Sequence, residues 1–231
     1  MKNLLASTLV AGLLALGSAP GAAQAQGNPL DHVGIEHNVY LACLMHNGAT
    51  QGVQPLVAVV NICGFDPGMS TAAFVERYED FAQIDPYAGA VQGMLPYREA
   101  FTDAEFAWFA QIDNVLETAP DFATADAAFA QLEAAAVAQL RLGTPPQQSI
   151  LAGLSVARHS LRFWSARERT SGSGTDDSAA SSLRLRPIWK VLLVVGADLV
   201  GGAGGTLIGG PGLGGVLGAA SSGGAADVLS P

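Results

Sequence analysis

Positive charge is scarce in this chain. Eleven Lys and Arg stand against 20 Asp and Glu among 231 residues, for a formal net charge of −9. Nucleic-acid binding needs a basic face, so nucleic acid is excluded as a partner. Cysteine is scarcer still. Cys43 and Cys63 are the only two, and they form neither a CxxC redox motif nor part of a four-ligand zinc spacing. Of the four histidines, no two make an HExxH pair, and a P-loop and a dinucleotide fingerprint are also missing. Gly153-Leu154-Ser155-Val156-Ala157 is a degraded GxSxG whose serine belongs to a helical stripe, not to a strand-to-helix elbow. With no catalytic motif, the expectation is a non-enzymatic protein without cofactor or metal.

What is there begins with an address. Residues 1–25 combine Lys2, an apolar run from Leu4 to Leu16, and the small-x-small box Ala23-Gln24-Ala25. That order predicts a secretory signal peptide cut after Ala25, and hence an exported protein of periplasm, cell envelope or medium. Export to an oxidising compartment favours a Cys43–Cys63 bridge; two buried free thiols are the alternative.

From residue 26 to 167 the pattern is helical almost throughout, and an all-α domain of five or six helices is expected. Ser70 or Thr71 caps a helix carrying Phe74, Tyr78 and Phe81. Thr102 and Glu105 form a capping box ahead of Phe106, Phe109, Ile112 and Leu116, and Pro120 ends that helix. Pro145-Pro146 starts the last helix of the domain, with Ile150, Leu154, Ala157, Leu161 and Trp164 on one stripe. The run Leu56 to Ile62 reads as a short helix or a strand, and helix is preferred because a lone strand has no partner.

Charge and composition then change. Residues 26–165 hold 15 acidic and 5 basic side chains, whereas only Asp198 and Asp227 are charged after Lys190. Residues 168–186 are expected to be a flexible linker, since Thr170 to Ser182 contains no large apolar side chain. Residues 187–231 form a glycine-rich apolar tail, expected to be membrane-associated, with a soluble helical hairpin docked on the bundle or a disordered segment as the alternatives. Gly201, Gly205 and Gly209 recur at every fourth position, as do Gly210, Gly214 and Gly218, followed by Ser222. On helices each set is a glycine face that lets two backbones approach closely. In water each glycine costs about 0.8–1 kcal/mol of helix stability relative to alanine. Such a helix therefore needs a membrane, a partner or a tight hairpin. Arg184, Arg186, Trp189 and Lys190 fit an interfacial anchor beside anionic head groups. Asp198 opposes a full membrane span.

Leu154 to Trp164 (LSVARHSLRFW), the linker, Trp189-Lys190, Asp198 and the glycine tail, together with Gly34, His37, Asn38 and Leu41 in VGIEHNVYL, resemble a group of exported bacterial proteins of unknown function. The resemblance implies an exported helical protein with a bacteriocin-like tail, and no reaction.

His37-Asn38 is the sharpest polar pair. It is expected to support the fold, with a ligand-binding or acid–base role as the alternative. His32, Glu36 and His46 lie near it, but a five-residue step from His32 to His37 does not put both rings on one helix face. His159, between Arg158 and Arg162, is expected on a solvated face. Two functions follow. The first is an exported envelope protein whose tail associates with membrane lipid or with itself. The second is a secreted toxin or bacteriocin precursor whose bundle restrains a permeabilising tail.

Overall fold

The computed structural model describes residues 27–47, 53–140, 142–171 and 188–225. Residues 1–25, expected to be a signal peptide, and Arg184 and Arg186 lie outside the described residues. The protein is all-helical. α1 (Asp31–Asn47), α2 (Pro55–Asn61), α3 (Thr71–Ala82), α4 (Gly89–Met94), α5 (Asp103–Thr118), α6 (Phe122–Gln139) and α7 (Pro145–Ser171) precede the pair α8 (Ile188–Gly209) and α9 (Pro211–Ala225).

Local chemistry starts several of these helices. Ser70 accepts from the Ala73 N–H at the head of α3. Thr102 and Glu105 cap α5 reciprocally, and Asp121 accepts from the Thr124 N–H at the head of α6. The ambiguous apolar run is helix α2, begun by Pro55. α4 and the 3-10 turn Leu95–Ala100 that follows it carry little sequence periodicity. α4 is set by tertiary contact instead: both Asp113 oxygens accept N–H groups from its first turn, those of Ala90 and Val91.

Large side chains fill the part around α5. Phe109 is fully buried and meets Phe101 and Phe106 edge-on at centroid distances of 5.4 and 5.5 Å. The α7 stripe Ile150, Leu154, Ala157, Leu161 and Trp164 is buried along its whole length. Cys43 and Cys63 form a disulfide that ties the end of α1 to the turn after α2.

The glycine-rich segment is the centre of the molecule, not an appendage. α8 packs on α9, α7, α4 and α5, while α9 packs on α8, α1, α3, α2 and α7. α8 has the length and composition to cross a membrane, yet 83% of its most apolar 18-residue window is buried inside the protein. Its six glycines would cost about 5 kcal/mol of helix propensity in an isolated peptide. Here burial on several sides offsets that.

Candidate functional site

The close approach of α8 and α9 is glycine against glycine. A Cβ on Gly205 would lie 3.0 Å from the Gly214 Cα, and one on Gly201 would lie 2.9 Å from the Gly218 Cα and 2.7 Å from the Leu217 carbonyl oxygen. Gly214 similarly approaches the Gly202 carbonyl oxygen. Real side chains do not fit at such separations. Two glycines of the four-residue sets behave differently. Gly209 abuts the side chain of Leu213, within the hairpin bend. Gly210 is not on a helix face: its φ of +85° makes the turn, its N–H returns to the Thr206 carbonyl, and Pro211 opens α9 behind it.

One charged residue lies inside this hairpin. Asp198 is fully buried, and a carboxylate there requires compensation. It receives two hydroxyl donors, Ser160 of α7 at 2.5 Å and Ser222 of α9. Its third neighbour is His37 of α1, also fully buried, with Nε2 3.4 Å from the Asp198 Oδ2. The site therefore gathers α1, α7, α8 and α9 around one carboxylate. Gly218 makes room for it, because a Cβ there would be 3.0 Å from the His37 ring and 3.0 Å from the Asp198 carbonyl oxygen.

Asn38 orients the ring. Its amide NH2 donates to the His159 carbonyl at 3.0 Å, which turns its Oδ1 toward His37 Nδ1 at 2.9 Å. An amide oxygen only accepts, so Nδ1 carries a hydrogen and Nε2 is left to face Asp198. The serines donate to the aspartate rather than to the imidazole. Neither hydroxyl is thereby activated as a nucleophile. Asp198 serves the fold as a polar hub that fixes the register of four helices.

The two motif segments meet nearby. A Cβ on Gly34 would sit 2.5 Å from the Ser155 carbonyl oxygen, so only glycine lets α1 lie this close to α7. Ser155 Oγ accepts from the Gly34 N–H at 3.1 Å and donates to the Asp31 carbonyl at 3.0 Å. Its role is helix joining, a role its degraded motif does not announce. His159 is not on a solvated face: its Nε2 contacts Asp31 Oδ1 at 2.9 Å, and its side chain is only 19% exposed. The reason is the same close approach of α1. Arg158 is turned inward onto Glu133, and Asn28 also donates to Glu133. Arg162 pairs with Asp126 in a half-exposed position.

Among the described residues, no three His, Cys, Asp or Glu side chains converge as a metal site, His32, Glu36 and His46 included. Trp189 and Lys190 occupy the first turn of α8. Trp189 is 50% exposed and Tyr87 65% exposed, and both line a cleft of about 230 Å³ with Leu116, Leu192 and Leu193.

Sequence reading missed Ser160 and Ser222 as partners, and treated Asp198 only as an obstacle to membrane insertion. The available signal was Asp198 itself: one charge inside an apolar helix must find donors, and Ser222 continues the glycine register of α9. No protein-family model, curated protein or solved structure matches this chain.

Proposed function

We propose that this is an exported, non-enzymatic cell-envelope protein that stores its glycine-rich hairpin inside a helical sheath and delivers it to a membrane or to another copy when the sheath opens. The observation that carries this reading is where the tight contacts lie. Gly201, Gly205 and Gly214 join α8 to α9 backbone to backbone, a contact the hairpin would keep on leaving the other helices, whereas the equally close approaches of Gly202 to Val156, Gly204 to Phe81 and Gly224 to the Ala82 carbonyl would be given up. Its polar ties to the sheath include Asp198 to His37 and Ser160, Ser149 to the Ala203 carbonyl, and Ser221 to the Phe81 carbonyl. α8 has 22 residues, about 33 Å of helix and enough for a hydrocarbon core. Trp189 and Lys190 at its head suit a membrane interface. The likeness of the motif segments to exported bacterial proteins is part of the same reading.

Cell fractionation with both ends of the protein tracked tests the address. Vesicle co-sedimentation and crosslinking of the full chain test the delivery. Gly205→Ile with Gly214→Ile should keep or raise lipid partitioning while abolishing oligomers. Wild type that neither sediments with vesicles nor crosslinks under any condition that opens the bundle would remove the reading. The toxin-precursor alternative draws on the polar composition of Thr170 to Ser182, which makes a cut there a route to release. It requires dye leakage from vesicles after such a cut.

A further inference from the structure

We propose that the cleft at the head of α8 is a binding site for an alkylammonium group, with Tyr87 and Trp189 as its walls and Glu117 as its counter-ion. The site rests on its geometry and charge. Only the source named for the ligand, a phospholipid headgroup, rests on the stored-hairpin reading above.

Tyr87 is held out of the core by its own turn. Its N–H donates to Asp85 Oδ1 at 2.9 Å, and the Ala88 N–H returns to the Asp85 carbonyl at 3.1 Å. Gly89 follows with a φ of +73°, and Asp113 then takes the Ala90 and Val91 N–H groups. The turn is thus fixed from both sides, yet the Tyr87 ring is 65% exposed and adds little to the core. Trp189, in the first turn of α8, is half exposed in the same way. The two rings line one cleft, and Gly196 keeps it open: a Cβ there would press on the Leu116 side chain at 3.2 Å.

Charge selects the ligand. The ionisable groups of opposite or like sign that line the cleft are Asp113 and Glu117, both acidic, so an anion is repelled. Asp113 is committed to the α4 backbone. Glu117 is exposed at the rim and enters none of the ion pairs among the described residues. A sugar or other polyol needs several convergent donors and acceptors, and the only side-chain donors on these walls are the Tyr87 hydroxyl and the Trp189 indole. An alkylammonium asks for aromatic faces and one carboxylate. The Trp189 ring already faces such a group, since the Lys190 Nζ lies 6.0 Å from its centroid. Lys190 does not itself line the cleft. The source that fits the position is an ethanolamine headgroup, because Trp189 stands where α8 would meet a membrane interface.

The protein carries its own reporter. Of its three tryptophans, Trp108 and Trp164 are buried and Trp189 is exposed. Acrylamide quenching of tryptophan fluorescence therefore reads Trp189, and an occupant of the cleft shields it. The full chain is titrated with tetramethylammonium chloride, with sodium chloride and the neutral isostere tert-butanol as controls. Shielding by tetramethylammonium should saturate, and tert-butanol should bind about tenfold more weakly, having no charge for the rings and carboxylate to act on. Glu117→Gln should weaken binding about two- to fivefold, as expected for an exposed charge pair. Tyr87→Ala should weaken it about fivefold. Both side chains are exposed, and urea denaturation should give both variants the wild-type midpoint. Equal shielding by tert-butanol, shielding that does not saturate, or unchanged binding in Glu117→Gln overturns the site.

Vesicles of phosphatidylglycerol with and without phosphatidylethanolamine test the source. Co-sedimentation that rises with phosphatidylethanolamine in wild type but not in Glu117→Gln supports the headgroup. Saturable tetramethylammonium binding without that rise keeps the cleft for a soluble alkylammonium compound and overturns the lipid source. Wild type that binds tetramethylammonium but neither sediments with any vesicle nor crosslinks leaves the site standing and removes the stored-hairpin reading.

Discussion

α5 turns one apolar face into the core, whereas α8 is buried on most sides, and the two are built on opposite plans. α5 carries its instructions locally: a capping box, an apolar stripe, and aromatic rings at its N-terminal half. Its packing depends on volume, with Phe109 at the centre of three rings. α8 has little side-chain volume over its second half. Its packing depends on the absence of Cβ atoms at Gly201 and Gly205 and on one buried charge. The first kind of helix fails when atoms are removed; the second fails when atoms are added. That difference makes α5 sensitive to cavities and the α8–α9 contact sensitive to overpacking.

The comparison can be broken most severely at Phe109. Phe109→Ala should cost about 3–5 kcal/mol, a transfer term plus a cavity. Urea denaturation should show it, with vesicle binding per folded molecule unchanged. The mirror experiment is Gly201→Val. Overpacking costs typically about 1–3 kcal/mol and sometimes more. The α8–α9 contact has backbone on both sides and little room to give, so a value at the top of that range is expected. If Gly201→Val is neutral in a denaturation series, the hairpin is not held by glycine approach.

The disulfide lies outside both plans and calibrates them. Cys43→Ser with Cys63→Ser should lower stability by about 3 kcal/mol through the denatured chain, with no change in the α8–α9 crosslinking pattern.

The capping box supplies a smaller effect. Thr102→Ala should cost about 1 kcal/mol. Its pH dependence sharpens the contrast. The Thr102 N–H, donating to the Glu105 carboxylate, holds that carboxyl below its ordinary value, against the opposing effect of burial. A group depressed in the folded state stabilises above its unfolded titration and loses that contribution as pH falls through the folded value. Glu105→Gln should therefore flatten the acid limb of the stability curve slightly. The smallest effect belongs to Trp189→Ala. At half exposure it should change the unfolding midpoint little, about 0.5 kcal/mol or less. A clear loss of vesicle binding in that variant would assign Trp189 to the membrane step.

Legibility differed between these regions for the same reason. The start of α5 could be placed to the residue and that of α3 to one of two, Ser70 or Thr71, since a cap is a bond between neighbours in sequence. The α7 stripe was equally readable from its spacing. α4 was not: its first N–H groups are held by Asp113, more than twenty residues away. The polar pair His37-Asn38 stood out as probable structure by type and position, but its partner Asp198 is distant in the chain. His159 was misplaced because an arginine on each side reads as solvent, while α1 arrives from the other end of the sequence to cover it. Gly210 has the spacing of a glycine face, and only the positive φ shows it is the turn.

By itself the sequence determined that the chain is helical, where several helices begin, which residues can bridge, and that the glycine-rich segment could not be helical alone. Those properties follow from short-range terms: caps, periodicity, and the cost of ordering glycine. Only the tertiary structure decided that this segment is the centre of the bundle. Only it showed that Gly34, Gly201, Gly205 and Gly214 mark places where backbones nearly touch, and that Asp198 is answered by His37, Ser160 and Ser222. The physical reason is that a missing Cβ and a buried charge are neutral facts along a chain. Each acquires meaning when a second helix, remote in sequence, occupies the space or supplies the donor.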